Sequence, residues 1–553
     1  MSKRGLKPQN AKNKFFPKGR QVEQHAINII SALLEDNSLE KDQLIENLHL
    51  IQDKFNAISK DHMVALAYLM KLSLAEVHEV ATFYHHFNVI EDSESKYSLT
   101  VRVCEGISCE MANSKNLFKQ LDGESYPHVQ VKFAPCVGAC DKAPIVVVGK
   151  NQIQNADLNT AKTAIEEKQT MPVKPNYRNF SDYIRRGGYK QWKKCLAGAI
   201  DKKEVIEIIE TAGLRGLGGA GFPTARKWKF LENTPKPRVL AINADEGEPG
   251  TFKDRFILDT NPHRMLEGIL IAAWAVEADS VYIYLRDEYY QAREVLLSEL
   301  SFLQSAKLHE QISIYLRRGA GAYICGEESA MLESIEGKRG LPRNRPPFPA
   351  QSGLFGRPTL INNVETTYWI PEILEKGADW YQKKGRPHFF SVSGRVRSPG
   401  IKLAPAGITA QELIFDHSDG MLEGHEFTAF LPGGASGGLL PASKSDLPLD
   451  FGSLDDVGCF IGSSAVVVFS QFDTIPSICR NLVHFFEDES CGQCTPCRLG
   501  CEKMSQLIRR DSWDINLIKE LSLTMQDASI CGLGQAAPNP VLSAIRFFPE
   551  SIK

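Results

Sequence analysis

The segment Arg238-Val-Leu-Ala-Ile-Asn243 is an apolar run of strand length, and it leads into the polar loop Ala244-Asp245-Glu246-Gly247-Glu248-Pro-Gly250. A second such run, Ser280-Val-Tyr-Ile-Tyr-Leu285, follows after a stretch with helical character. Strands that alternate with helices predict a layered α/β domain, in which helices cover a sheet. Open α/β sheets bind ligands at the carboxyl ends of their strands, so the acidic loop is predicted to border a binding site. The alternative is a solvated turn.

The bulk composition narrows the function classes. The 553 residues predict several domains, and 64 basic against 67 acidic residues give a net charge of −3, without the basic field typical of nucleic-acid binding. No run approaches the ~18 apolar residues of a membrane span. The thirteen cysteines, without a secretory signal, indicate metal binding in a reducing compartment rather than disulfides. We therefore expect a cytoplasmic protein.

Changes in pattern along the chain predict seven segments. Residues 1–20 carry seven basic side chains and no acidic one, which is typical of a disordered arm. Docking onto a partner subunit and a mitochondrial transit peptide are the alternatives for this arm. The predicted segments after it are a helical domain at 21–95, a small α/β domain at 96–168, a linker at 169–184, the large α/β domain at 185–384, a β-rich domain at 385–475 and a helical domain at 476–553.

Three cysteines crowd the segment Cys491-Gly-Gln-Cys494-Thr-Pro-Cys497. Thiolates this close repel one another unless a cation or cluster neutralises them, and the C-x2-C-x2-C spacing is that of iron–sulfur ligation. Structural zinc and incidental thiols are the alternatives. Cys501 would complete a bacterial ferredoxin run, but Glu502 follows it instead of proline, and there is no second run for a second cluster.

A second cysteine set is formed by the pairs Cys104-x4-Cys109 and Cys136-x3-Cys140. Each pair follows a predicted strand, so the two pairs can converge on one site. Four thiolates suit a [2Fe–2S] cluster or zinc, and the C-x4-C spacing is wider than that of most zinc ribbons, which favours iron.

The glycine-rich loop from Gly213 to Pro223 contains G-x-G-x-x-G at Gly216, Gly218 and Gly221. The usual dinucleotide-binding fingerprint requires a strand before the glycines, and here the preceding segment is predicted to be helical, so that interpretation is rejected. A backbone anion cradle with Lys227 nearby is the interpretation that remains, with a flexible loop as the alternative. Further polar loops at 319–328 and 360–363 predict a composite pocket.

The motifs Gly216–Lys227, Asn243–Arg255, Tyr323–Glu328 and Glu489–Gly500 resemble the flavin-bearing subunit of respiratory complex I. Residues 21–168 resemble its small [2Fe–2S] subunit. The resemblance implies a multidomain α/β protein with a thioredoxin-like ferredoxin domain, a Rossmann-like FMN and NADH domain, a small β-grasp-like (SLBB) domain and a C-terminal helical bundle. It also implies FMN, NAD(H), one [2Fe–2S] and one [4Fe–4S] cluster as cofactors.

The resemblance further implies residue roles. Hydride would pass directly between the nicotinamide and the flavin, so no protein acid or base is expected. Cys531, rather than Cys501, would be the fourth [4Fe–4S] ligand. The implied FMN-binding residues are Gly216, Gly218, Gly219, Lys227, Asn243, Asp245, Glu246, Tyr323, Gly326, Asn362 and Asn363; Phe222, Phe230 and Phe348 would stack on the adenine of NADH, Glu327 and Glu328 would position the nicotinamide nucleotide, and the cluster ligands would be Cys104, Cys109, Cys136, Cys140, Cys491, Cys494, Cys497 and Cys531.

Both subunits are fused here, as in the diaphorase subunits of soluble NAD-linked formate dehydrogenases and hydrogenases. Leu217 replaces the usual arginine of complex I and Gly247 a serine, and both departures are more similar to the formate dehydrogenase diaphorases. We therefore expect a hetero-oligomer with a formate dehydrogenase subunit that carries a molybdenum or tungsten pterin and further iron–sulfur clusters. A nickel–iron hydrogenase partner, a complex I-like membrane assembly and a zinc-stabilised scaffold are the alternatives.

Overall fold

The computed structural model describes residues 20–91, 95–124 and 126–552. The described residues form two compact units, of which the first lies within residues 1–98 together with 336–339 and the second comprises the remainder. The predicted basic arm lies outside the described residues except for Arg20. Among the described residues, no helix is long and apolar enough to cross a membrane.

The first unit is helical. Two of its helices begin at serine caps, because the Ser59 and Ser73 side chains accept hydrogen bonds from backbone N–H groups of the first turn. Its elements are α1 (Gln24–Leu33), α2 (Leu44–Phe55), the two-residue strand β1 (Ile58–Ser59), α3 (Lys60–Met70), α4 (Leu74–Phe83) and β2 (Val89–Ile90), which pairs in parallel with β1.

The second unit begins with a small α/β domain. Its four-stranded sheet has the order β4-β3-β5-β6, and the inward-facing Val101, Val103, Val146 and Val148 are fully buried. The elements are β3 (Leu99–Cys104), α5 (Ile107–Met111), α6 (Ser114–Gly123), β4 (Val129–Ala134), β5 (Val146–Val148), β6 (Asn151–Ile153) and α7 (Leu158–Glu166).

The large α/β domain is built on a parallel sheet of order β10-β7-β8-β9. β7 continues to β8 and β9 on one side, whereas β10 lies on its other side. The elements are α8 (Phe180–Arg185), α9 (Lys190–Leu196), α10 (Lys202–Ala212), α11 (Thr224–Lys229), β7 (Arg238–Ala244), α12 (Lys253–Thr260), α13 (Pro262–Ala275), β8 (Ala278–Leu285), α14 (Tyr290–Ser305), β9 (Ser313–Arg318), α15 (Glu328–Ile335), β10 (Thr359–Asn363), α16 (Val364–Lys376) and α17 (Ala378–Lys383).

The strand order therefore has a switch point between β7 and β10, because the strands after β7 are added on one side of it and β10 is added on the other. Such crevices are where open α/β sheets bind ligands. Residues of α13, including Met265, Ile269 and Leu270, are fully buried in the core of this domain. The predicted linker at 169–184 is shorter than expected, because α8 begins inside it at Phe180, where the Asn179 side chain caps the helix.

A β-rich domain follows, with a five-stranded sheet of order β12-β11-β15-β13-β14. The chain ends in a helical region that carries the C-terminal cysteines. The elements are β11 (His388–Gly394), β12 (Gly400–Ala404), α18 (Ala410–Phe415), β13 (Phe427–Leu431), β14 (Leu440–Pro441), β15 (Ala465–Ser470), α19 (Ile475–Asp488), α20 (Thr495–Ile508), α21 (Ile515–Ala528), α22 (Gly532–Ala536) and α23 (Asn539–Phe547).

Candidate flavin and iron–sulfur sites

A cavity of about 290 Å³ lies at the switch point of the parallel sheet. Asn243 at the end of β7 and Asn363 at the end of β10 both line it. The Asn243 amide donates to the Gly326 carbonyl at 2.8 Å. This bond holds the loop at 319–328 against the end of β7. Of the residues predicted to bind the cofactors, the cavity is lined by Gly218, Gly219, Asn243, Asp245, Glu246, Tyr323, Gly326, Glu327 and Asn363.

Buried carboxyl groups dominate this lining. Burial raises the pKa of Asp245 well above its usual range, and Asp245 Oδ2 is a buried oxygen with no hydrogen-bond partner. Burial, followed by the charge of Asp254, raises the pKa of Glu246 to about 7. Glu246 accepts hydrogen bonds from the backbone N–H groups of Asp254 and Arg255 at the start of α12, at 2.8 and 3.1 Å.

One fully buried lysine balances this negative charge. Lys253 Nζ lies 2.8 Å from Asp254 Oδ1 and 3.2 Å from Glu365 Oε2. Asp254 in turn accepts a hydrogen bond of 2.6 Å from the Asn363 amide. The position of the Asn363 side chain in the cavity therefore depends on a buried charged pair.

The glycine loop approaches Asn363 closely. A Cβ atom on Gly218 would lie 3.1 Å from Asn363 Cβ, so a larger residue would displace the asparagine. Leu217 is buried in the domain core, and its N–H donates to the Thr366 hydroxyl at 2.9 Å. The Leu217 side chain therefore stabilises the base of the loop.

Several predicted residues do not line the cavity. Asn362 is buried, and its side chain lies beside the Trp228 indole and the Ile361 carbonyl. It faces away from the cavity because successive strand residues face opposite sides of a sheet. The Gly216 N–H closes the glycine loop on the Phe222 carbonyl at 2.8 Å. The remaining predicted residues outside the cavity lining are Phe222, Phe230 and Phe348, which are 38%, 51% and 52% exposed, and Lys227 and Glu328, which form an ion pair with each other.

Sequence reasoning missed the contribution of the β-rich and C-terminal domains. Glu248 accepts a hydrogen bond from the Ser436 N–H at 2.8 Å, and the Thr251 and Ser463 hydroxyls lie 2.6 Å apart. Gly247, Glu248 and Ile324 belong to loops that were predicted to border the pocket, although no role was assigned to them. The lining residues outside those predicted loops are Thr251, Lys253, Asp254, Ser436, Phe460, Gly462, Ser463, Gly532, Leu533 and Ala536.

The first cysteine set converges in the small α/β domain. Cys104, Cys109, Cys136 and Cys140 are all at most 6% exposed, and Cys136 Sγ lies 3.3 Å from Cys140 Sγ. Cys104 is within hydrogen-bond reach of both Cys109 and Cys136. The four thiols therefore face one another around one buried point, which fits a four-thiolate cluster.

This cysteine set contacts the large α/β domain directly. Arg286 donates to the Cys136 carbonyl at 2.7 Å and also to the Glu246 carbonyl. The Tyr289 hydroxyl donates to Glu246 Oε2 at 2.8 Å, and a Cβ atom on Gly138 would overlap the Tyr289 phenol. The loop from Cys136 to Cys140 is thus packed against the residues that shape the cavity.

The pocket of the second cysteine set is lined by Ile324, the neighbour of Tyr323 in the chain. Cys491, Cys494, Cys497 and Cys531 line one small pocket, and Cys501 is absent from that lining. The backbone N–H groups of Leu533 and Gly534 point at the Cys531 thiol, a pattern that suits a cluster sulfur ligand. Cys501 is buried on α20, within hydrogen-bond reach of Cys497.

A hydrogen bond joins this region to the cavity. The Tyr323 N–H donates to Glu489 Oε2 at 2.8 Å, and Glu489 precedes Cys491 by two residues. The Tyr323 ring packs on Phe485, with the ring centroids 5.0 Å apart. The cavity, with its glycine loop and the unpaired Asp245 oxygen, fits a polar flavin cofactor, and both cysteine sets adjoin it.

Three protein-family models match the chain. Residues 30–169 match the thioredoxin-like [2Fe–2S] ferredoxin family, and residues 209–372 match the Nuo51 FMN-binding domain. Residues 477–553 match the iron–sulfur binding region of NADH-ubiquinone oxidoreductase-F.

Curated relatives and solved structures agree with these matches. One F-type subunit of the NADH-quinone oxidoreductase of Rhizobium meliloti (strain 1021) is 38% identical over 399 residues, covering 68% of this chain and 93% of that protein. The F-type subunit of the Aquifex aeolicus (strain VF5) enzyme is 38% identical over 409 residues, covering 70% and 94%. A chain from a crystal structure of an air-oxidised NAD⁺-reducing [NiFe]-hydrogenase is 30% identical, with a TM-score of 0.81 and 92% coverage of both chains.

The fold and the matched domains define a NAD-dependent oxidoreductase that binds FMN and NADH and carries one [2Fe–2S] and one [4Fe–4S] cluster. The chain belongs to the family of the F-type subunits of NADH-quinone oxidoreductases, and it carries the thioredoxin-like ferredoxin domain in the same polypeptide. The predicted fold class is confirmed, as are the four predicted cofactors.

Proposed function

We propose that this chain is the diaphorase subunit of a cytoplasmic NAD-linked formate dehydrogenase. The observation that carries the diaphorase role is the position of the cavity, which adjoins both cysteine sets within one compact unit. When bound, FMN takes up a hydride and releases its electrons singly, which matches one-electron carriers on either side.

The residues around the cavity supply orientation rather than proton transfer. Gly218 and Gly219 let the backbone approach the ligand, and Asn363 presents an amide that the Asp254 carboxylate fixes. Asp245 and Tyr323 would contact the flavin. Glu328 and the three exposed phenylalanines, at Phe222, Phe230 and Phe348, would bind the NADH nucleotide outside the cavity lining, together with Glu327, which lines the cavity. Lys227 would hold the FMN phosphate, and Gly216 closes the glycine loop.

The proposed partner is a catalytic subunit with a molybdenum or tungsten pterin. Support comes from the fusion of the two modules and from Leu217 and Gly247, which depart from the complex I pattern. Gly247 packs closely on Tyr323, since a Cβ atom there would lie 3.0 Å from Tyr323 Cδ2. The reaction of the complete complex would then be the interconversion of formate and NAD⁺ with carbon dioxide and NADH.

A hydrogenase partner is the second candidate. The similarity to a chain of a NAD⁺-reducing [NiFe]-hydrogenase extends over 92% of both chains and therefore includes the fused ferredoxin domain. The Aquifex aeolicus relative, by contrast, covers 70% of this chain. Membership of a membrane-bound NADH:quinone complex is therefore the weaker of the alternatives.

The test is to purify the native complex through an affinity tag on this chain. Formate-dependent NAD⁺ reduction, together with molybdenum or tungsten in stoichiometric amount, would support the proposal. Hydrogen-dependent NAD⁺ reduction with nickel would instead identify the hydrogenase alternative. NADH-dependent quinone reduction without any of these metals would contradict both.

A further inference from the structure

Outside both cysteine sets, three metal-ligating side chains converge at a contact between two domains. His484 lies on α19, the helix that leads into the second cysteine set, and Asp488 is one turn further along it. Glu105 follows Cys104 directly in the small α/β domain. One ligand atom from each of the three residues lies within 4.8 Å of the other two.

The distances are those of a slightly open coordination site. His484 Nε2 lies 3.4 Å from Asp488 Oδ2 and 3.8 Å from Glu105 Oε2. Bonds of about 2.0–2.1 Å to a tetrahedral zinc ion would place neighbouring ligand atoms about 3.4 Å apart. Histidine at i and a carboxylate at i+4 also project from one helix face, as zinc ligands on a helix commonly do.

The other nitrogen of the ring faces a further carboxylate. His484 Nδ1 is buried without a hydrogen-bond partner, and Glu487 Oε2 lies 3.9 Å from it. A histidine that ligates a metal through one nitrogen usually donates its other N–H to a carboxylate. Glu487 is therefore placed to orient the ring once Nε2 is engaged, after a small movement of either side chain.

The negative charge around His484 and the fixed backbone of Glu105 also favour the binding of a cation. Three carboxylates surround His484, whereas Arg509 is 3.7 Å from Glu487 and its side chain is 61% exposed. The Glu105 backbone is fixed, because Asn481 on the same helix donates to its carbonyl at 2.9 Å. The ligands are thus held by two domains that already contact each other.

We propose that Glu105, His484 and Asp488 bind a divalent first-row transition ion such as Zn²⁺, with Glu487 orienting the imidazole. The ion cross-links the loop after Cys104 to the helix that precedes Cys491. It therefore fixes the two cluster-bearing domains to each other, and it takes no part in electron transfer, because Zn²⁺ has no accessible redox step. The site does not depend on which partner subunit the chain serves.

The test uses the full chain loaded with FMN and both clusters. The protein is treated with EDTA, incubated with ZnCl₂ and desalted, and zinc is then measured together with iron and labile sulfide. Zinc retained by the wild type should be lost in His484→Gln and in Asp488→Asn at unchanged iron and sulfide. The control is His417→Gln, which alters an exposed histidine outside the triad and should retain the zinc.

Two further measurements separate this site from the cysteines and from a plain ion pair. Zinc X-ray absorption should show only nitrogen and oxygen ligands, whereas a sulfur shell at about 2.3 Å would place the metal on cluster thiolates and overturn the proposal. Glu487→Gln should weaken zinc binding about 10–100-fold. Equal zinc in wild type and His484→Gln, or no retained zinc in either, would show that the triad is only an ion pair.

Discussion

The two cysteine sets differ in how they are enclosed. Cys104, Cys109, Cys136 and Cys140 are almost fully buried, with one wall formed by the flavin domain. In the second set only Cys497 is buried, and the other three cysteines are partly exposed. Cys494 and Cys531 are the N-caps of α20 and α22, and Cys491 lies in the loop before α20. A cluster held by the first set would be shielded from other proteins where the large α/β domain covers it. A cluster held by the second set would be accessible to another protein. We therefore expect the partner subunit to exchange electrons through the second set.

The largest effect is expected at the second set. Cys531→Ser should abolish the [4Fe–4S] EPR signal, because Cys531 lines the pocket of Cys491, Cys494 and Cys497. Cys501→Ser is the matched control and should retain the signal, since Cys501 lies outside that lining. The opposite pattern would assign the fourth ligand to Cys501. The [2Fe–2S] signal should persist in both variants, because its ligands lie in another domain.

The cavity that adjoins both cysteine sets contains the hydrogen bond between Asp254 and Asn363, and this bond should affect the affinity for FMN. Asp254→Asn should weaken FMN binding by about 1.5–3 kcal/mol, the range for a hydrogen bond to a charged group. The measurement is fluorescence titration of the deflavinated protein with FMN. If Asp254 acts through Asn363, the double variant with Asn363→Ala should bind FMN no more weakly than Asn363→Ala alone. Additive losses would contradict that dependence.

Gly138→Ala tests how much the packing of Tyr289 against the loop of Cys136 and Cys140 stabilises the first cysteine set. The new Cβ would overlap the Tyr289 phenol at a position with φ of 71°. The overlap should cost about 1–3 kcal/mol beyond backbone strain, and should lower the urea concentration at which the [2Fe–2S] signal is lost. Gly198→Ala is the control, because Gly198 has φ of 70° but nothing within 4 Å of its Cβ position. Equal losses in both variants would mean that strain alone is responsible.

A pH-dependent effect is expected from His388 on β11, a strand whose Ser393 contacts Ser108 of the small α/β domain. Burial lowers the pKa of His388 to about 4, from an ordinary value of 6.5. Between these values the unfolded chain binds a proton that the buried ring does not, so stability should fall as the pH falls from about 6.5 to 4. His388→Gln should lessen the decrease in melting temperature over this range. An unchanged pH dependence would show that His388 does not contribute to it.

The sequence was most informative where the site residues lie close together in the chain, directly after a strand. The first cysteine set follows from two strand-to-loop pairs, and the acidic loop after Asn243 follows from one strand. Spacing alone favoured Cys501 over Cys531, because nothing local indicates that the start of α22 reaches the pocket 34 residues beyond Cys497. Similarly, the resemblance did not separate Asn362 from Asn363, although the alternation of a strand directs only one of them into the cavity. Ser436 and Ser463 could not be predicted, since their position depends on the packing of one domain against another.

We expect electrons to pass from NADH to the clusters of this chain only through FMN. Rapid mixing of the cluster-loaded chain with NADH, followed by freeze-quench EPR of the [4Fe–4S] signal, measures this transfer. The FMN-loaded protein should develop the reduced signal, and the deflavinated protein should not until FMN is restored. Equal reduction with and without FMN, or no reduction of the FMN-loaded chain, would show that FMN is not the obligatory carrier.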